Sequence, residues 1–137
     1  MRALRWWSLL PATVAAWYAT FITGMFAYSF IESYLCPQEE LISGICINRS
    51  IRSILDVTSH VFVAASAIAV VVAAVSVAPN RKKEVAWLSF VVGAAAATYF
   101  GVRTHDYHLL AAAIAGGLGT LILFHFRVRS ERPKLLP

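Results

Sequence analysis

Charge is what this chain has least of. Only 14% of its 137 residues are Asp, Glu, Lys or Arg, where soluble domains carry roughly 25%. In compensation 59% are hydrophobic, and the mean hydropathy is +0.68, which points to lipid as the solvent of one small domain. Acidic residues are scarcer than basic ones, seven against twelve. None of the seven sits in the middle of an apolar run, so the paired membrane carboxylates that mark a proton-coupled transporter are missing. There are only two cysteines and no C-x-x-C spacing, which disfavours redox or metal use of thiols. The G-x-S-x-G, H-E-x-x-H, P-loop and dinucleotide glycine motifs are also absent; the GGLG at residues 116–119 lies inside an apolar run with no strand before it. The excess of positive charge forms no basic stripe interleaved with aromatics, so nucleic acid is not an expected partner. These absences predict no enzyme, no cofactor and no metal, and we draw no family resemblance.

The apolar residues that remain fall into four uncharged runs. They cover residues 6–31, 57–78, 85–102 and 107–126, with His60, His108 and His125 as their only ionisable histidines. Each reaches the ~17 to 25 residues that a helix needs to cross about 30 Å of hydrocarbon. The expected fold is all-α: a polytopic membrane four-helix bundle with a short outer loop between the first and second spans. Orientation follows from Lys and Arg. Arg2, Arg5, Arg81, Lys82, Lys83, Arg127, Arg129, Arg132 and Lys134 fall on one side, against Arg49, Arg52 and Arg103 on the other. By the positive-inside rule both termini are cytoplasmic, and the same residues give some affinity for membrane lipids with anionic headgroups. The apolar start is too long for a signal peptide core and reads as an uncleaved anchor. Short loops and alanine-rich spans suggest a bacterial inner, or plasma, membrane.

The longest polar interval, Glu32 to Asp56, holds both cysteines. On an oxidising outer face Cys36 and Cys46, ten positions apart, are expected to pair as a disulfide, with Pro37 and Gly44 as turn residues between them. Asn48-Arg49-Ser50 has the form of a glycosylation sequon. Ile47, Ile51, Ile54 and Leu55 recur at helical spacing, predicting a short amphipathic helix that leads into the second span.

Two groups of residues stand out as candidates for function. The four-span topology places Glu32, Asp56, His60, Arg103, His105, Asp106 and His108 on one outer face, where ionisable groups beside lipid are costly. Asp56 lies one turn before His60, so its carboxylate is expected to orient the imidazole. Asp106 is equally a natural N-cap for the fourth helix, and packing or capping is the ordinary role for the whole group. The second group is a pair of small-residue stripes. Ser89, Gly93, Ala97 and Gly101 recur every four residues, as do Ala112, Gly116 and Thr120. Such stripes let helix backbones approach closely, and a short connection predicts that these two form one seam between the third and fourth helices. Together these features favour a non-enzymatic accessory protein that docks to another membrane component, a membrane-protein partner or a second copy, through small-residue faces and the outer loop. The competing expectation is a small oligomeric transporter or channel gated in the His60 and Asp56 region.

Overall fold

The computed structural model describes residues 6–78 and 81–130. Arg2, Arg5, Arg132 and Lys134 of the charge count, Pro79 of the second loop and the basic tail from Glu131 lie outside the described residues. The chain forms four helices: α1 Leu9–Leu35, α2 Arg49–Val77, α3 Lys82–Thr104 and α4 Tyr107–Ser130. All four are long and apolar enough to cross a membrane. At about 1.5 Å per residue, α1 (27 residues) and α2 (29 residues) reach ~40 Å or more, longer than a hydrocarbon core of about 30 Å.

Between α1 and α2 the chain makes a 3-10 turn, Gln38–Glu40, and then a two-stranded antiparallel hairpin, β1 Leu41–Ile42 with β2 Ile45–Cys46. Its two-residue turn, Ser43 and Gly44, has φ of 53° and 81°. Positive φ at both central positions is the hairpin turn whose twist matches that of the strands, and it puts Gly44 where glycine fits best. Two-residue strands carry too little alternation to be read from sequence. The Cys36 and Cys46 sulfurs lie 2.01 Å apart, at disulfide distance, with their Cα atoms 6.0 Å apart. Both are buried, and with Ile51 and Leu55 they form a small core against which Ile31 packs.

The amphipathic segment is not a separate helix. It is the opening of α2, which starts at Arg49 and runs without interruption to Val77. Asn48 starts it: its side-chain oxygen accepts from the backbone N–H of Ser50 at 3.0 Å and of Ile51 at 3.3 Å. That is an N-cap, and it gives the asparagine of the sequon form a structural role.

α2 is the centre of the bundle. It packs on α1, α3 and α4, and α3 also packs on α4, whereas α1 has its main contact with α2 alone. At the far end from the hairpin, Val71, Ala86 and Leu121 join α2, α3 and α4 in one buried cluster, and Ala74, Ala78 and Val85 form another beneath Leu9. Few side chains are fully enclosed, and large apolar ones such as Trp7 (83% exposed) and Leu123 (71%) face outward. A surface of that kind suits lipid rather than water, where patches so large are rare.

Candidate functional site

Because α1 leans on α2 and stands apart from α3, a groove runs between them. Its volume is about 870 Å³. α2 forms the floor through Phe62, Ser66 and Val70, α1 one wall through Trp17, Phe21 and Tyr28, and α3 the other. Ser89, Gly93, Ala97 and Gly101 all line that second wall. α4 contributes Leu110, Ala113, Gly117 and, at the end nearest the hairpin, Asp106.

This arrangement corrects the expected seam. A Cβ added at Gly93 meets nothing within 4 Å, whereas one added at Gly116 falls 2.6 Å from the Ala64 carbonyl oxygen of α2. Gly93 and Gly116 therefore do not face each other. The stripe Ala112, Gly116 and Thr120 brings α4 to α2 at its central glycine, and the Thr120 hydroxyl donates within its own helix, to the Gly116 carbonyl at 2.9 Å. Gly101 alone begins the expected contact, its missing Cβ lying 3.1 Å from Leu110 of α4. Further along, α3 and α4 meet through other residues, where Gly117 accepts the Phe90 ring, 2.7 Å from where its Cβ would be. The physical reason is that small residues permit close approach without choosing a partner. With lipid as apolar as leucine, a stripe of them is satisfied equally by a helix or by an open face.

The hairpin end holds the ionisable candidates, which the fold disperses. Glu32, half-buried at the end of α1, accepts the Cys46 backbone N–H at 3.4 Å and so ties the helix to the hairpin. Asp56 and His60 are joined differently from expectation. His60 Nδ1 lies 2.6 Å from the Asp56 backbone carbonyl, so the peptide oxygen orients the ring, not the carboxylate. The i, i+4 spacing that suggested a carboxylate also places the carbonyl there, since the α-helix aims each C=O at the residue four ahead. With Nδ1 donating to that carbonyl, Nε2 is left as the acceptor nitrogen. His60 and His108 are the members brought together, with ring centroids 6.4 Å apart at 63° across α2 and α4. The Arg103 guanidinium lies 5.8 Å over the Tyr99 ring of its own helix. His105 is the turn residue after α3, at φ 60°, and the Asp106 N–H returns to the Gly101 carbonyl at 3.1 Å, closing the helix end. Asp106 then opens α4, its carbonyl accepting from Leu110 N–H at 3.3 Å. Among the described residues no group of three or more His, Cys, Asp or Glu is arranged to hold a metal ion.

The aromatic lining of the groove was missed in the sequence. Trp17 and Phe21 stack at 5.6 Å on the α1 wall, and Phe62 lies against Gly24, whose Cβ would come 3.0 Å from its ring. Gly24 carries a signal: with Ser8, Ala12, Ala16 and Thr20 it recurs every four residues, and its missing side chain leaves room for the Phe62 ring of α2. Comparison with protein-family models, with curated proteins and with solved structures finds no match to this chain.

Proposed function

We propose that this is a non-enzymatic accessory protein of the membrane that takes up another membrane component, from the side, in the groove between α1 and α3. One observation carries the reading: the small-residue stripe of α3 lines an open groove, with Gly93 facing empty space, and only its Gly101 end is taken up by the bundle's own packing. Small residues on an unfilled wall are what allows a second apolar body to lie close. In this reading the termini are cytoplasmic and the hairpin faces an oxidising exterior, as in a bacterial inner membrane; the charge count and the paired cysteines support that orientation.

The gated-transporter reading has less support. It relied on an Asp56 carboxylate holding His60, and the backbone carbonyl holds it instead.

Site-specific photocrosslinking in native membranes tests the docking reading. A benzophenone amino acid replacing Phe21, which lines the groove, should yield discrete adducts. The same residue replacing Phe126, which is exposed and outside the groove, should yield only a diffuse background. Indistinguishable patterns at the two positions would mean that the groove recruits nothing.

A further inference from the structure

We infer that the occupant of this groove is a single amphiphile whose head presents hydrogen-bond donors, a hydroxyl or ammonium group, seated at the Asp106 end with its apolar chain along α2. The inference rests on the docking reading and names the component docked.

Size comes first. The groove offers about 870 Å³, within the ~300 to 1,000 Å³ typical of small-ligand sites. A lipid-sized molecule matches it, with α1, α2 and α3 around it.

Polarity then fixes the direction. The walls are largely aromatic and aliphatic, and among the described residues that line the groove Asp106 is the only one with a charged side chain. It stands at the hairpin end with Thr58 and Thr104. Both threonine hydroxyls donate to their own helices, Thr58 to the Ile54 carbonyl at 2.8 Å and Thr104 to the Phe100 carbonyl at 3.0 Å. Each has therefore spent its proton and presents lone pairs. Deeper in, Ser59 and Ser66 do the same, to Leu55 and Val63. The Tyr28 and Ser29 hydroxyls of the α1 wall keep their protons, but the one formal charge facing the groove is the Asp106 carboxylate, and burying it under an apolar molecule would leave it unsatisfied. The neighbouring cation does not reverse this polarity, because the Arg103 guanidinium is drawn over Tyr99. The complement is a head that donates and is neutral or positive.

The test uses the full-length protein in nanodiscs and three probes of equal chain length: a monoacylglycerol, an alkylammonium and a fatty acid at a pH where it is ionised. Binding is read by native mass spectrometry and by competition with a fluorescent alkyl chain. The hydroxyl and ammonium probes should bind at least about tenfold tighter than the carboxylate, the size of effect expected of one charge-assisted hydrogen bond. Asp106→Asn should remove most of the ammonium preference while leaving the monoacylglycerol nearly unaffected. Gly93→Leu, at a position with nothing within 4 Å to clash with, should fill the groove and weaken all three. Equal binding of the three heads, or tighter binding of the fatty acid, overturns the inference. So does an absence of binding by all three. If Phe21 adducts form and prove to be protein, docking stands and the amphiphile falls; if no groove adduct forms, both fall.

Discussion

His105 stands at φ 60°, in the left-handed region that costs a side chain other than glycine, asparagine or aspartate roughly 1 to 2 kcal/mol. Its backbone has a clear task, turning the chain so that the Asp106 N–H can close α3 on the Gly101 carbonyl. If the imidazole does nothing further, His105→Gly should stabilise the protein by about 1 kcal/mol, a part of the gain being offset by the greater freedom of glycine in the unfolded chain. Thermal unfolding in a mild detergent should show a midpoint a few degrees higher. A lower midpoint would reveal a contact of the ring that outweighs the backbone strain. The same residue shows why single-residue roles were hard to read from sequence. THDYH looks like a cluster of chemistry when written in a line, yet its members serve a turn, a helix start and a contact with His60. Asn48 was obscured in the opposite way, by a sequon pattern that concealed an N-cap.

At the level of the helices, the two stripes separate by partner. Gly116→Ala would set a methyl group 2.6 Å from a backbone carbonyl of α2, and neither backbone can yield without parting the helices. A loss of roughly 1 to 3 kcal/mol is expected, as for other overpacked interiors. Gly93→Ala meets open space and removes a glycine from a helix interior, so it should be neutral or stabilising by up to about 1 kcal/mol. Unfolding of the two variants side by side checks this; equal losses would restore the seam that the sequence suggested. The helices themselves were legible, because an uncharged run of adequate length needs no partner to be recognised. Which face meets which neighbour was not legible. In water a helix declares its inner face by its hydrophobicity, but between lipid and protein there is no such contrast, and the four-residue period of Gly93 and Gly116 is identical on a packed face and an open one.

For the whole molecule, sidedness and the cysteine bridge can be tested together. Intact cells exposed to a membrane-impermeant maleimide should show no labelling before reduction and labelling of both Cys36 and Cys46 after it. Reporter fusions at Glu40 and Lys82 should report opposite sides. Labelling without reductant would mean free thiols, and a cytoplasmic Glu40 would invert the topology. Cys46→Ser should cost roughly 3 kcal/mol by loop-closure entropy, confined to the hairpin end, without preventing insertion, since the spans satisfy their own backbones. The four spans were readable because the length and hydropathy of a span are sums over many residues. The groove was not, because it arises from a gap between α1 and α3, and no local pattern encodes a contact that is not made.

The two ends of the bundle differ in how far along the chain their parts are drawn from, and so in when those parts exist during synthesis. The core around the cysteines uses nothing beyond residues 31 to 55, whereas the opposite end unites Val71 with Ala86 and Leu121. During synthesis every residue of that core has been made once α2 has begun, while α3 and α4 are still to come. The wall carrying Gly93 is thus made after an α1 and α2 pair whose contacts at the hairpin end require nothing from it. Until that wall is made, lipid alone can cover the floor of the groove, so the groove exists as an enclosed space only in the finished chain.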